Sequence, residues 1–165
     1  MDLSVRIGSL TLSNPLMAAS GCFGYGVEYA DLVDLSSLGA IVTKGLFLEA
    51  REGHPAPRIV ETPAGMLNAI GLQGIGVRRF VEEKLPELRT RRATVIVNVC
   101  GTTIDEYVEV SRILSDAEGV AVTIRPPWGV RAKTAIARSI SLASRKLIAL
   151  VSTPKPGAAD CMAPS

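Results

Sequence analysis

Apolar and polar positions alternate from the start of the chain: Leu3, Val5 and Ile7 are separated by polar residues, Gly8-Ser9 interrupts, and Leu10 and Leu12 resume the same period. A period of two puts one set of side chains on one face of a strand, and a Gly-first pair between two such runs predicts an antiparallel hairpin. Pro15 to Ala19 is a short apolar run that predicts a strand ending in Ser20-Gly21. Tyr29, Leu32, Val33 and Ser36 then recur at helical spacing before Gly39, which predicts a helix that the glycine stops. Ala40-Ile41-Val42 is a second strand, too uniformly apolar to have a wet face, as strands of parallel sheets are; it ends at Thr43-Lys44-Gly45.

From Leu46 to Gly76 no period holds, and Pro55, Pro57 and Pro63 stand among several glycines. Connections this long are functional or disordered, and a minor strand pair is expected around 58–61 and 66–68. Val77, Val81, Leu85 and Leu88 form a helical stripe, with a kink expected near Pro86. Residues 94–99 make a third strand, apolar and β-branched except for Asn98. Thr103 and Glu106 have capping-box spacing, Asp105 suits the positive helix end, and Ile104, Tyr107, Val108, Ser111 and Leu114 form the expected inner face. A fourth strand begins near Val120. The order β-α-β-α-β-α-β predicts an α/β fold with right-handed crossovers and a parallel sheet, open or closed into a barrel.

Composition narrows the class. At 165 residues and 47% hydrophobic, with mean hydropathy +0.29, the chain can bury a core, and 4% aromatic content makes that core aliphatic. Cys22, Cys100 and Cys161 are odd in number and far apart, which fits neither a disulfide framework nor a zinc site, so no metal and a reducing cytoplasm are expected. The N-terminus lacks an export signal and the longest apolar run is too short to span a bilayer; a membrane is not expected among the partners. Arg89, Arg91 and Arg92 close a helix, where cations suit the carbonyl end, so nucleic acid is not expected either. Neither a Walker loop nor a Gly-x-Gly-x-x-Gly loop is present. His54, the sole histidine, reads as a surface-loop residue. Charge is uneven: residues 122–165 carry seven basic side chains and one acid, whereas acids outnumber bases before them.

Three successive strands end in residues too polar or too small for a core: Ser20-Gly21, Lys44 and Asn98. In a parallel sheet these ends lie side by side, where sites are built, although each alone also suits a cap or a loop. An ammonium at the end of a buried strand calls for an anion or strong acceptor, which a reduced flavin, a phosphate or a carboxylate would supply. Asn98 could hydrogen-bond the same flavin edge or a substrate carbonyl.

Asn14-Pro15-Leu16, Ala19-Ser20-Gly21-Cys22-Phe23-Gly24, Thr43-Lys44-Gly45, Arg51-Glu52-Gly53-His54-Pro55-Ala56-Pro57-Arg58, Met66-Leu67-Asn68-Ala69-Ile70-Gly71-Leu72-Gln73 and Val97-Asn98-Val99-Cys100-Gly101 together resemble the bacterial class 1 dihydroorotate dehydrogenases. The resemblance is to the NAD-linked branch that works with an FAD and iron–sulfur subunit. It covers residues 1–121 and implies the N-terminal portion of a (β/α)8 TIM barrel, truncated, with an N-terminal β-hairpin; a whole barrel takes about 250 residues.

The resemblance further implies FMN as cofactor, with dihydroorotate losing a proton from C5 to a base and hydride from C6 to the flavin. Ala19, Ser20 and Gly21 would line the flavin, Thr43 and Lys44 would lie beside its ring, and Asn98 would contact flavin or substrate. Asn68 would hold orotate, with Met66, Leu67, Ala69, Ile70, Gly71 and Leu72 as the cradle and Lys44 alongside. A partner electron-transfer subunit and a homo-oligomer are implied too.

The pattern departs from the family after the fourth strand. There the family carries its catalytic cysteine in Asn-Ile-Ser-Cys-Pro-Asn, and this chain reads Val122-Thr123-Ile124-Arg125-Pro126-Pro127. No catalytic residue is therefore assigned, Cys100 is expected to be a buried inert thiol, and the chain is expected to be inactive or impaired. Residues 122–165 read as a divergent basic tail. A change of reading frame near 121 is the favoured origin, against a diverged barrel helix or a basic amphipathic helix with Ile136, Ile140, Ala143, Leu147 and Val151 on one face. The rival functional readings are a non-catalytic fragment acting as a subunit-contact or membrane-surface module, and another FMN barrel reductase acting on a pyrimidine.

Overall fold

The computed structural model describes residues 1–124. The antiparallel hairpin is present: β1 (Val5–Ile7) pairs with β2 (Leu10–Leu12), Val5 opposite Leu12 and Ile7 opposite Leu10. Four strands, β3 (Met17–Ala18), β4 (Ala40–Val42), β7 (Val95–Asn98) and β8 (Val120–Ile124), form one parallel sheet in the order β3-β4-β7-β8. A second hairpin, β5 (Ile59–Thr62) with β6 (Gly65–Asn68), stands within the long connection, as expected from the sequence.

Side chains alternate across the sheet, so each strand feeds two cores. Ile41, Val95 and Val97 face the helices and pack with Leu35, Leu46, Val77, Phe80, Leu85, Leu88, Val110 and Leu114. Ala40 and Ile96 face the other way and meet Leu12, with Val5, Ile7, Leu10 and Val42 around them. The N-terminal hairpin therefore covers the second face of the sheet.

The helices correct the periodicity in three places. Over 29–36 there is no continuous helix but two 3-10 turns, Val27–Tyr29 and Leu35–Ser37. Asp34 accepts hydrogen bonds from Ser36 N (2.9 Å) and Ser36 Oγ (2.8 Å), giving the backbone a local alternative to the helical ladder. Leu35 is buried as a result, and Leu32 is 81% exposed. Near Pro86 the kink takes a specific form: α1 (Val77–Arg79) passes through a π-helical stretch, Phe80–Lys84, into α2 (Leu85–Thr90). Proline offers no N–H to the ladder and its ring crowds the carbonyl four residues back, and the wider π register accommodates both. In α3 (Ile104–Asp116) the buried stripe is Tyr107, Val110, Ser111 and Leu114. It starts one turn later than expected, leaving Ile104 41% exposed and bringing Val110 inward.

The Thr103 cap is formed, its hydroxyl accepting from Glu106 N at 3.2 Å. Glu106 reaches back to Thr102 rather than to Thr103, accepting from its N–H (2.5 Å) and hydroxyl (2.6 Å), so the box is shifted by one residue on its return side. Of the stretch read as a divergent tail from 122, residues 122–124 belong to β8, paired in parallel with Ile96–Asn98, and 125–165, with the amphipathic helix expected there, lie outside the described residues.

Candidate functional site

Because β3, β4 and β7 run parallel, their carboxyl ends emerge on the same side, and the polar residues that end them meet there. Asn98 Nδ2 donates to Ser20 Oγ at 3.2 Å, and Asn98 N–H donates to Thr43 Oγ1 at 3.3 Å. Thr43, fully buried, also donates its own N–H to Ile96 O at 2.9 Å. The chain then crosses again, with Leu46 N donating to Asn98 O (2.8 Å) and Cys100 N to Leu46 O (2.9 Å). Three residues up to 78 positions apart are thus tied into one network, each bond contributing about 1 kcal/mol net.

Lys44 is anchored through its backbone, its N–H donating to Gly24 O at 2.8 Å. The residue is partly buried, and its ammonium has no hydrogen-bond or ion-pair partner among the described residues, and neither does the Asn98 carboxamide oxygen. Gly21 has φ +86, and the space where a side chain would stand is open. Ala19 and Gly21, on either side of Ser20, are exposed. A donor-rich, incompletely paired sheet end next to bare backbone suits a flat, electron-rich ligand.

Behind this end, Arg51 lies over the Phe47 ring, 3.8 Å from its centroid. Burial pushes the Cys100 thiol up, and the Arg51 charge only partly offsets this. Cys100 is half-buried, and in its protonated form it makes a poor nucleophile or base. Tyr25 is buried; desolvation raises its phenol, while Ile75 N donating to its oxygen at 3.2 Å opposes the rise.

The second group of sequence-derived residues lies on the β5–β6 hairpin and the segment after it. Met66, Leu67 and Leu72 are 60–66% exposed. Asn68 ends β6 opposite Ile59, and no hydrogen bond joins its carboxamide to Ser20, Lys44 or Asn98 among the described residues. It borders instead a hollow of about 350 Å³, shared with Pro57, Arg58, Ile59, Val60, Leu67 and Ala69. Ala69 is exposed, whereas Ile70 and Gly71 are partly buried. One group of candidate residues thus sits at a polar sheet end and the other on an apolar hairpin, with no hydrogen bond between the Asn68 carboxamide and the sheet end among the described residues.

His54 is exposed, as its reading as a surface-loop residue expected, but together with Arg58 it shapes the hairpin's base in a way the sequence did not show. Arg58 Nη1 donates to Glu52 O and His54 O (both 3.1 Å), and Arg58 Nη2 donates to Gln73 Oε1 (2.6 Å). His54 Nδ1 lies 2.8 Å from Ala69 O. The close backbone approach that the sequence offered at Gly65, Gly71 and Gly74 is present at Gly71, which, with Gly53, has φ +76 where the two segments meet.

Among the described residues no three metal-binding side chains cluster, and no helix is long and apolar enough to cross a membrane. The model of the dihydroorotate dehydrogenase family matches residues 2–153, running past the change of charge near 121. The catalytic subunit of dihydroorotate dehydrogenase B (NAD(+)) of Geotalea uraniireducens is 53% identical over 129 residues, 76% of this chain and 42% of that one. The corresponding subunit of Thermodesulfovibrio yellowstonii is 53% identical over 118 residues, 72% and 39% of the two chains. The chain thus spans about two fifths of the length of these curated relatives. A crystal structure of the Eimeria tenella dihydroorotate dehydrogenase in complex with ferulenol superposes with a TM-score of 0.62 at 16% identity, covering 86% of this chain and 44% of that one. At that identity the likeness speaks for the fold, which is the N-terminal portion of a (β/α)8 barrel, and the sequence matches speak for descent: the chain belongs to the dihydroorotate dehydrogenase family.

Proposed function

We propose that this chain carries the FMN- and pyrimidine-binding N-terminal part of an NAD-linked dihydroorotate dehydrogenase, a flavoprotein that oxidises dihydroorotate to orotate in pyrimidine biosynthesis. The observation that carries the reading is the Ser20–Asn98–Thr43 network at three adjacent strand ends, with Lys44, whose ammonium meets no partner among the described residues, directly after Thr43 in the chain. Ala19, Ser20 and Gly21 would line the flavin, with Thr43 and Lys44 beside its ring and Asn98 offering its carboxamide oxygen, without a partner among the described residues, to flavin or substrate. Bound FMN supplies the two-electron acceptor for the hydride of dihydroorotate C6.

Asn68 would hold the planar orotate anion, since a carboxamide both donates to and accepts from the pyrimidine's carbonyl and amide groups. Met66, Leu67, Ala69, Ile70, Gly71 and Leu72 would exclude water around it, with Lys44 near the ring. The C5 proton needs a base. Cys100 does not suit that task, because burial keeps it protonated, and the sequence after β8 has no cysteine where the family carries one. We assign ligand binding to this chain and no proton transfer to its residues. An electron-transfer partner subunit of the FAD/iron–sulfur kind belongs to the same proposal, supported by relatives whose names specify a catalytic subunit, and a homo-oligomeric assembly and a cytoplasmic location are proposed with it.

The test is titration of the purified chain with FMN, followed by flavin fluorescence, and then with orotate. Saturable quenching by the wild type, weakened about five- to tenfold in Asn98→Ala, is expected from loss of the carboxamide. A wild-type chain that leaves FMN fluorescence unchanged overturns the reading.

A further inference from the structure

The segment proposed to cradle orotate is fastened by a clasp that its own residues do not explain. Arg51 and Gly74 exchange backbone hydrogen bonds (2.8 and 2.9 Å) at the base of the long connection. Further out, His54 N donates to Ile70 O at 3.0 Å, His54 Nδ1 lies 2.8 Å from Ala69 O, and Ala69 N donates to Arg58 O at 2.9 Å. Ala69 and Ile70 immediately follow Asn68. The two strands of chain press so closely that a side chain on Gly71 would come within 3.0 Å of the His54 ring. Leu72 is held at φ 53, a conformation that non-glycine residues seldom adopt unless their surroundings impose it.

We infer that His54 is a positioning residue for the pyrimidine-binding segment, its Nδ1–H···O=C bond to Ala69 fixing where Asn68 presents its carboxamide; the inference rests on the functional reading above. A carbonyl oxygen can only accept, so the proton of this contact must sit on Nδ1. The bond spans 15 residues of sequence and closes the arc in which the hairpin stands. Without it, the carbonyl of Ala69 turns to water and the Asn68–Leu72 segment gains freedom that the ligand must then remove on binding.

The test uses the full chain, in which one histidine makes the ring signal unambiguous. Long-range proton–nitrogen NMR is expected to show Nδ1 protonated, and orotate affinity by calorimetry is expected to fall about fivefold in His54→Ala. His54→Asn, whose amide nitrogen occupies the place of Nδ1, restores the affinity; His54→Gln, one bond longer, does not. A neutral ring protonated on Nε2, or unchanged affinity in His54→Ala, overturns the positioning role. A wild-type chain that binds no orotate refutes the substrate reading instead. The ring tautomer, and faster amide exchange of Ala69–Leu72 in His54→Ala but not in His54→Asn, then still decide the clasp.

Discussion

Gly45 links the proposed flavin end of the sheet to its packing, and its replacement by alanine has a cost that can be worked from distances. A β-carbon on Gly45 would lie 2.6 Å from Cys100 Sγ, while the next atoms, Cys100 Cβ and Asn98 Nδ2, stand at 3.7 and 3.9 Å. A relaxed contact needs about 3.5–4.0 Å, so the sulfur alone must give way by about 1 Å. Gly45 is not among the glycines with positive φ, so alanine meets no backbone strain there. It should even gain about 0.4–1 kcal/mol from a less flexible unfolded chain. Against that gain stands overpacking at about 1–3 kcal/mol, for a net loss of about 0–2.6 kcal/mol in Gly45→Ala.

Removing the sulfur removes the clash. In a Cys100→Ala background the same substitution should be neutral or slightly stabilising, giving a coupling of about 1–3 kcal/mol in a double-mutant cycle. Urea unfolding followed by far-UV circular dichroism measures it as shifts of midpoint at constant slope. Equal losses from Gly45→Ala in the two backgrounds would show that Cys100 is not what the β-carbon meets. FMN affinity gives a second readout, since a displaced end of β7 carries Asn98 with it; the single variant should bind more weakly than the double variant.

Other perturbations follow from the same contacts. Thr103→Ala removes the hydroxyl that accepts from Glu106 N and should cost about 1 kcal/mol in thermal unfolding, whereas Thr103→Ser should retain most of it. Hydrogen bonds from the Thr102 hydroxyl and then its N–H hold the Glu106 carboxyl below the usual carboxylate range. A depressed folded value contributes stability that is complete above the ordinary glutamate value and disappears as pH falls through the folded one. The gap between wild type and Glu106→Gln should therefore be open at neutral pH and closed in acid; a gap unchanged across that window would contradict the assignment. Iodoacetamide labelling at mildly alkaline pH, mapped by peptide mass, should modify exposed Cys22 well before Cys100, whose thiol burial pushes up; equal rates would refute the protected thiol.

Much of the frame was legible because it rests on local rules. The period-two runs at Val5–Ile7 and Leu10–Leu12, the aliphatic stretches at Ala40–Val42 and Val95–Asn98, and the Thr103 cap all appear where their patterns put them. The misreadings arose where a nearby group competes with the periodicity. Asp34 captures Ser36 and breaks a helix whose apolar spacing looked adequate, whereas the interruption expected near Pro86 is present, in the form of a π stretch.

Sequence alone determined which residues end the strands and what chemistry they offer, since an ammonium, a carboxamide and a hydroxyl are properties of residue type and of position in a pattern. Tertiary structure decided which of them meet. Ser20, Thr43 and Asn98 become one network only because β3, β4 and β7 lie parallel and in register, while Asn68 stands on a hairpin braced by His54 and Arg58. Those pairings join residues 15 to 78 positions apart, a range at which periodicity holds no information and packing alone sets the distance.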